Sequence, residues 1–221
     1  MSQTKRSLRK KLIKRVSCDY LLFLPRNYSA GGKRWPLILF LHGAGQRGDK
    51  LALVKEHGMA KIVEQRPDFP FIVVSPQCPA EGWWSAEVLA TLLDAVENKF
   101  RVDPKRIYLT GLSMGGFGTW NLAMECPDRF AAIVPICGRG NPLLAHRIKH
   151  LPIWVFHGAK DEVVPLSNSR EMVRALRRHG AKLKFTIYPD VGHDSWTRTY
   201  ENPRLYAWLL SHTRRRKSSG T

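Results

Sequence analysis

A serine between two glycines, at the junction of a predicted strand and a predicted helix, constrains the fold more than any other feature of the sequence. The motif is Gly111-Leu112-Ser113-Met114-Gly115. The residues before it, 106–110, have the composition of a short buried strand. Apolar residues after it have helical spacing: Phe117, Trp120, Ala123 and Met124. The turn between the two must be so tight that Ser113 adopts strained backbone geometry, with no Cβ atoms tolerated at the flanking glycines.

Predicted strands alternate with predicted helices along nearly the whole chain. The strands are expected over residues 18–24, 36–41, 69–75, 106–110, 130–137, 152–156 and 183–188. The helices are expected over residues 51–65 with a break near Gly58, over 86–100, from Ser113 to Pro127, and over 166–179 and 204–212. This alternation predicts a single-domain α/β fold with a mostly parallel central sheet flanked by helices on both faces. Because residues 138–151 form only a short connection between two strands, we expect no large cap domain and an open site.

Basic residues are concentrated at the two ends of the chain. Of the net charge of +18, seven positive charges lie in residues 1–17 and four in residues 213–221, and neither segment contains an acid. We therefore expect a folded domain over residues 18–212 between two basic tails. Such tails contact polyanions non-specifically through counterion release. Because zinc-finger spacing and RNA-binding aromatic motifs are missing from the sequence, no specific nucleic-acid partner is predicted.

Targeting and redox signals are weak. No stretch approaches the roughly 18 continuous apolar residues needed to span a bilayer, and the N-terminus lacks the apolar run and cleavage site of a secretory signal. The acid-free residues 1–18 leave a transit peptide open as the alternative to a solvated tail, and a cytoplasmic location is expected. The four cysteines form no Cys-x-x-Cys pair and are interpreted as reduced thiols in or near the core: Cys18, Cys78, Cys126 and Cys137.

Four polar residues follow predicted strands directly, namely His42, Ser113, Asp161 and His193. The carboxyl ends of parallel strands meet at one edge of a sheet, where ligands bind. A nucleophilic serine needs a base to take its proton, and the base needs a carboxylate to fix its tautomer. The chain order Ser113, Asp161, His193 is the order of an α/β-hydrolase triad, so we predict these residues as nucleophile, acid and base.

Other histidines compete with His193 for the role of base. His42 and His157 also follow strands, but we interpret them as imidazoles that hydrogen-bond the backbone of neighbouring loops. The remaining histidines have helix or loop contexts and are predicted to be solvated: His57, His146, His150, His179 and His212. His193 is preferred because its Val-Gly-His-Asp segment follows the last predicted strand directly.

Three acids are alternatives to Asp161: Glu162, Asp190 and Asp194. Asp161 is preferred because it follows a strand in a Gly-x-x-Asp turn. Asp190 and Asp194 are so close in sequence to His193 that local geometry hinders a hydrogen bond to its Nδ1 atom.

An oxyanion hole requires two backbone N–H donors directed at the developing negative charge. We predict that Met114, which follows the nucleophile, and Ala44, in the His42-Gly-Ala-Gly loop, supply them. Substrate contacts are predicted for three tryptophans, with core packing as the alternative for each: Trp83, Trp84 and Trp196.

These motifs resemble the small α/β-hydrolase esterases of the phospholipase/carboxylesterase and predicted-esterase group, related to dienelactone hydrolase-like and polyhydroxybutyrate depolymerase-like enzymes. The resemblance covers about residues 18–212 and rests on the segments 41–45, 75–77, 111–116, 157–165 and 192–196. It implies that small or short-acyl carboxylic esters are hydrolysed through an acyl-enzyme on Ser113, without a metal or cofactor. Dienelactone hydrolase itself uses a cysteine, so Ser113 departs from that enzyme and its lactone hydrolysis is not implied.

Three other functions are alternatives to ester hydrolysis. A serine peptidase of the prolyl-oligopeptidase type would use the same triad, although the sequence contains no propeller or other gating domain. An acyl thioesterase would also use it. A non-catalytic α/β-hydrolase-fold binding protein is the alternative from another class, and the complete set of triad residues in the expected order argues against it.

Overall fold

Seven strands form one mixed sheet in the order β1-β3-β2-β4-β5-β6-β7 within the part of the chain that this computed structural model describes, residues 4–11, 13–29 and 31–214. The strands are β1 (Tyr20–Phe23), β2 (Trp35–Leu41), β3 (Ile72–Pro76), β4 (Val102–Leu112), β5 (Ala132–Ile136), β6 (Ile153–Gly158) and β7 (Leu183–Tyr188). Only β1 pairs antiparallel with its neighbour, and the other pairs are parallel. The prediction of a mostly parallel sheet is therefore confirmed.

Six α-helices occur in the described residues: α1 (Gly58–Glu64), α2 (Ala86–Lys99), α3 (Met114–Glu125), α4 (Leu166–Arg178), α5 (Ser195–Glu201) and α6 (Pro203–Leu210). The first four lie between strands, and α5 and α6 follow β7. The first turns of α2 and α6 are capped by side chains. Ser85 accepts a hydrogen bond from the Val88 N–H at the start of α2, and Asn202 does the same for Arg204 at the start of α6. Short 3-10 helices cover Ala44–Gln46, Leu51–Glu56 and Pro142–Ile148.

Helices cover both faces of the sheet because side chains of a strand alternate between the faces. Leu37, Leu39 and Leu41 of β2 pack into one hydrophobic cluster with buried residues of α2, α3 and α4. Ile38 and Phe40 pack into a second cluster with residues of α1, α5 and α6. The continuous apolar sequence of β2 is thus explained, since every one of its residues is buried.

The extent of the central strand differs from the prediction. This strand was predicted over residues 106–110, but Asp103 and Pro104 also lie within β4, which begins at Val102. The register against β2 shifts at this point, from Trp35 opposite Val102 to Leu37 opposite Ile107. Because the residues between them bulge out of the ladder, Pro104 fits there without a backbone N–H to donate.

A short helix was missed between the last predicted strand and the helix predicted over residues 204–212. α5 follows His193 almost directly, and Asp194 caps it by accepting a hydrogen bond from the Thr197 N–H at 3.0 Å. The predicted break near Gly58 is confirmed, because a 3-10 helix ends at Glu56 and α1 begins at Gly58, which has φ of +64°.

The connection from β5 to β6 contains only the 3-10 helix Pro142–Ile148, so no cap domain is present in the described residues. None of the helices described is long and apolar enough to cross a membrane. Residues 4–11 and 13–17 contain no helix or strand. The rest of the two predicted basic tails, including Arg215, Arg216 and Lys217, lies outside the described residues, and the domain bounds 18–212 stay a prediction.

Candidate active site

Ser113 occupies a strained turn between β4 and α3. Its φ of 53° and ψ of −118° are rare for a residue with a side chain. A Cβ atom at Gly115 would lie 1.9 Å from the Leu41 carbonyl oxygen, and one at Gly111 would lie 2.3 Å from the Gly115 carbonyl oxygen. Only glycine fits at either position, so the close approach of strand and helix depends on both Gly111 and Gly115.

The loops after β6 and β7 bring two further side chains to Ser113. His193 Nε2 lies 3.0 Å from Ser113 Oγ. The other ring nitrogen of His193, Nδ1, lies 2.8 Å from Asp161 Oδ2 and 3.0 Å from Oδ1. The Asp161 side chain is fully buried, whereas the imidazole of His193 is 21% exposed. The three predicted residues therefore form a continuous hydrogen-bonded chain that ends at the protein surface.

The carboxylate of Asp161 is held from several sides. Its Oδ1 atom accepts hydrogen bonds from the N–H groups of Val163 and Val164, at 3.0 and 2.9 Å. Its Oδ2 atom receives His193 and also lies 3.2 Å from His157 Nε2. With donors on both oxygens, the carboxylate has one orientation available in which it faces His193.

The contact between His157 and Asp161 was missed from the sequence. The expected bond to a loop backbone is present, since His157 Nε2 donates to the Val164 carbonyl oxygen at 2.8 Å. The same N–H also faces Asp161, and the Ser169 hydroxyl donates to Nδ1 at 2.7 Å. Burial lowers the pKa of His157, so its imidazole is neutral and its tautomer is fixed by these partners. The sequence feature that could have indicated this contact is the position of His157, four residues before Asp161.

The three alternative acids lie in other environments. Asp190 pairs with Arg198 at 3.1 Å on the surface, and Asp194 caps α5. Glu162 is exposed. The structure thus brings only Asp161, among the acids considered, to His193 Nδ1.

His42 joins the loop after β2 to the loop after β3. Its Nδ1–H donates to the Gly43 carbonyl oxygen at 2.6 Å, and its Nε2 accepts a hydrogen bond from the Cys78 N–H at 3.0 Å. These roles require a neutral ring. Burial lowers the pKa of His42 to about 4, which keeps the ring neutral at physiological pH.

This histidine predicts an acid-dependent loss of stability. The pKa of His42 is lower in the folded state than its ordinary value of 6.5, so the unfolded chain binds the proton first as pH falls. The free energy of unfolding should therefore decrease from about pH 6.5 to pH 4, by roughly 3 kcal/mol in total for this group. Urea unfolding of the wild type and of His42→Gln at pH 7.5 and 4.5 measures it. An equal decrease in both proteins would contradict the assignment, and the exposed His146→Gln is the control.

The two predicted oxyanion donors are both at the starts of helices. Ala44 and Met114 are the first residues of a 3-10 helix and of α3, so their N–H groups have no acceptor within the helix. A Cβ atom at Gly43 would lie 3.7 Å from Ser113 Cβ, which shows that the loop preceding Ala44 passes next to the serine. The loop is held in place by Arg47, whose Nε donates to the Ala44 carbonyl oxygen at 3.1 Å.

The three predicted substrate-binding tryptophans occupy different environments. Trp83 is 66% exposed, with its ring 6.0 Å from that of Phe117 on α3. The ring of Trp196 lies 5.2 Å from that of His193 and perpendicular to it. Trp84 is buried in the hydrophobic core, and its indole N–H donates to the His42 carbonyl oxygen at 3.3 Å. For Trp84 the structure shows core packing, the alternative to a place in the substrate pocket.

One group of potential metal ligands occurs among the described residues, and it overlaps the triad. The ligand atoms of Cys137, Asp161 and His193 lie within 4.8 Å of one another. Asp161 and His193 already bond each other directly, and burial raises the pKa of the Cys137 thiol to about 12. A neutral thiol beside a closed hydrogen bond is a poor ligand set, because metal binding needs a thiolate and free lone pairs.

Known proteins similar to this chain include an esterase and a depolymerase. A family model described as the dienelactone hydrolase family matches residues 80–206. The bifunctional acetylxylan esterase/xylanase XynS20E of Neocallimastix patriciarum is 24% identical over 198 residues, which cover 86% of this chain and 28% of that protein. The poly(3-hydroxyoctanoate) depolymerase of Pseudomonas fluorescens is 24% identical over 216 residues, covering 83% of this chain and 75% of that protein.

Among solved structures, one described as a thermostable esterase superposes with a TM-score of 0.75 at 36% sequence identity. The match covers 88% of this chain and 59% of that chain. The chain therefore spans less than two thirds of the length of XynS20E and of this esterase, although it spans three quarters of the depolymerase.

Proposed function

We propose that this chain, which belongs to the dienelactone hydrolase family, is a serine carboxylesterase that hydrolyses small or short-acyl carboxylic esters. The observation that supports it most is the position of His193. One ring nitrogen lies 3.0 Å from Ser113 Oγ and the other 2.8 Å from a carboxylate oxygen of Asp161. This is the arrangement in which a histidine removes the proton from a serine hydroxyl.

The reaction begins when Ser113 Oγ attacks the ester carbonyl carbon and His193 Nε2 takes the hydroxyl proton. Asp161 keeps the proton of His193 on Nδ1 and stabilises the imidazolium that forms. The N–H groups of Ala44 and Met114 bind the oxyanion of the tetrahedral intermediate. His193 then protonates the leaving alcohol, and the acyl group remains on Ser113.

Water completes the cycle by equivalent steps, with a water molecule in place of the alcohol. His193 removes a proton from a water molecule, which attacks the acyl carbon, and the second tetrahedral intermediate uses the same two N–H donors. When it collapses, the carboxylic acid leaves and the proton returns to Ser113 Oγ. No external cofactor is needed for any of these proton transfers.

The preference for small esters rests on the open surface around Ser113. No cap domain follows β5 in the described residues, so little protein is available to enclose a long acyl chain. Trp83, exposed and next to Phe117 in the first turns of α3, and Trp196, next to His193, offer aromatic faces. We assign both as substrate-contact residues, and we do not assign Trp84 this role.

Partner and location are also proposals. A groove of about 1260 Å³ lies at the amino-terminal ends of β5, β6 and β7, at the edge of the sheet opposite Ser113, and several cations line it: Arg147, Lys149, Lys182, Lys184 and Arg214. Together with the basic ends of the sequence, it supports non-specific contact with polyanions. We also propose a cytoplasmic location.

A series of p-nitrophenyl esters from acetate to palmitate tests the substrate class. We expect kcat/KM to be highest for acetate or butyrate and to fall by at least about ten-fold for palmitate, because an open site buries little of a long chain. Thioester and amide analogues run beside them distinguish a thioesterase and a peptidase. No turnover of any oxygen ester would contradict the proposal and leave those activities, or ligand binding without catalysis.

A further inference from the structure

Two cysteines face each other across the antiparallel edge of the sheet. β1 pairs with β3 such that Tyr20 lies opposite Pro76. The pairing continues one residue beyond the strands, because the Gln77 N–H donates to the Asp19 carbonyl oxygen at 2.8 Å. In the same register, the next residues opposite each other are Cys18 and Cys78.

This pair is of the non-hydrogen-bonded kind. The Cys78 N–H donates to His42 Nε2 at 3.0 Å, and its carbonyl oxygen accepts a hydrogen bond from the Gly48 N–H at 3.0 Å, so both groups point away from Cys18. Residues paired in this way have Cα atoms roughly 4.5 Å apart, with their side chains close together. That separation falls within the range of about 4.4–6.8 Å that disulfides span.

Both side chains also share one environment. Cys78 belongs to the hydrophobic cluster formed by α2, α3 and α4, and Cys18 packs against the same cluster, so both thiols lie on one face of the sheet. Both line a single pocket of about 410 Å³, whose lining includes Trp83. Cys126 and Cys137, by contrast, lie at the end of α3 and after β5.

We propose that Cys18 and Cys78 form an intramolecular disulfide when the protein meets a low-molecular-weight disulfide such as oxidised glutathione. Both are free thiols in the structure. The half-buried Cys18, as thiolate, attacks the oxidant and releases one glutathione, which leaves a mixed disulfide on Cys18. The Cys78 thiolate then attacks Cys18 Sγ and releases a second glutathione. The two protein thiols lose two electrons and two protons, and one oxidised glutathione becomes two reduced molecules.

The bond would fasten the chain before β1 to the loop that follows β3. That loop bears Trp83, and through Cys78 it contacts His42 beside the predicted oxyanion loop. The bond closes a loop of about 60 residues, which restricts the unfolded chain and raises the midpoint of thermal unfolding by several degrees, on the order of 5–10 °C.

Burial makes the reaction slow at neutral pH. It raises the pKa of Cys18 to about 11 and also raises that of Cys78, so few thiolates are present near pH 7. The oxidation rate should therefore increase by up to ten-fold for each pH unit between 7 and 9.5.

Peptide mapping of the full chain tests the assignment, because trypsin places the four cysteines in four different peptides. Cys18 lies in 16–26, Cys78 in 62–99, Cys126 in 107–129 and Cys137 in 130–139. After oxidation at pH 9 the denatured protein should contain two free thiols instead of four, and peptides 16–26 and 62–99 should be linked within a monomer. Four free thiols, a link between other peptides, or only intermolecular links would overturn the proposal.

Matched serine variants separate this pair from general thiol oxidation. Cys18→Ser should lose the linked peptides and the rise in unfolding temperature, while Cys126→Ser should keep both. Hydrolysis of p-nitrophenyl acetate shows that each variant is folded, since neither cysteine contacts the triad. If the chain hydrolyses no ester, the unfolding midpoint of each variant before oxidation shows that it is folded. If Cys18→Ser keeps the temperature rise on oxidation, the pairing is wrong.

Discussion

Ser113→Ala is expected to lower kcat for p-nitrophenyl acetate by about 10⁵–10⁶-fold, the loss seen when the nucleophile of a serine triad is removed. The hydroxyl oxygen is the atom that forms the acyl-enzyme, and no other described hydroxyl lies within hydrogen-bond distance of His193 Nε2. The remaining activity would come from the oxyanion donors and from substrate binding alone.

The fold should survive this substitution. Alanine has the same Cβ atom as serine, so the strain at φ of 53° is unchanged, and only one hydrogen bond to the partly exposed His193 is lost. We expect the midpoint of thermal unfolding to stay within a few degrees of the wild type, since a single neutral hydrogen bond contributes about 1 kcal/mol. Ser167→Ala, on the exposed face of α4, is the control for an equivalent substitution.

An enzyme that keeps more than about one per cent of its activity after Ser113→Ala would exclude the covalent mechanism. Burst kinetics give a second readout on the wild type. If deacylation limits turnover, mixing enzyme with excess substrate should release one p-nitrophenolate per active site before the steady state, and Ser113→Ala should show no burst.

The features that sequence analysis predicted well are those in which a local pattern has one structural solution. Gly111 and Gly115 leave no alternative to a tight turn, because a Cβ atom at either would meet backbone atoms within 2.3 Å. Parallel strands bring their carboxyl ends to one edge, so Asp161 and His193 could be placed near Ser113 before the distances were known. β7 was predicted with its observed bounds, Leu183–Tyr188.

Features that depend on pairing between distant segments were not predicted. The inclusion of Pro104 in β4 results from a register shift against β2. Core packing of Trp84 was one of two alternatives in the sequence, and its packing against Gly118 of α3 decides between them. The contact between His157 and Asp161 requires the backbone to turn back on itself after β6. Each is set by three-dimensional packing, which a one-dimensional pattern of apolar and polar residues does not contain.

The proximity of Cys18 to Cys78 was also not predicted from the sequence. The spacing of the four cysteines suggested reduced thiols, and all four are free in the structure. The register that places Cys18 opposite Cys78 is fixed by the pairing of β1 with β3, over a separation of about 60 residues, and became visible only with the strand pairing.

Asp161→Asn should lower kcat by about 10⁴-fold, or roughly 5 kcal/mol of transition-state stabilisation. The Val163 and Val164 N–H groups bind Oδ1, so the asparagine would keep its carbonyl oxygen there and turn its NH₂ group toward His193. His193 Nδ1 would then have to accept a hydrogen bond, which moves the ring proton to Nε2. In that tautomer the ring has no lone pair facing Ser113 Oγ and is unable to take its proton.

Asp190→Asn is the matched control, because it removes the same charge from the loop that precedes His193. Asp190 pairs with Arg198 on the surface, so its substitution should change kcat by less than about two-fold. A larger loss in Asp190→Asn than in Asp161→Asn would transfer the role of acid to Asp190. Substrate binding should be nearly unchanged in Asp161→Asn, because its buried side chain is shielded from the substrate by His193.

The double variant Ser113→Ala/Asp161→Asn gives the strictest test of the triad as one unit. If Asp161 acts only through His193, and His193 acts only on Ser113, then removing the carboxylate has no further effect once the hydroxyl is gone. The double variant should therefore be no slower than Ser113→Ala, although independent contributions would make it another 10⁴-fold slower. Such an additive loss would mean that Asp161 contributes to catalysis by a route other than the orientation of His193.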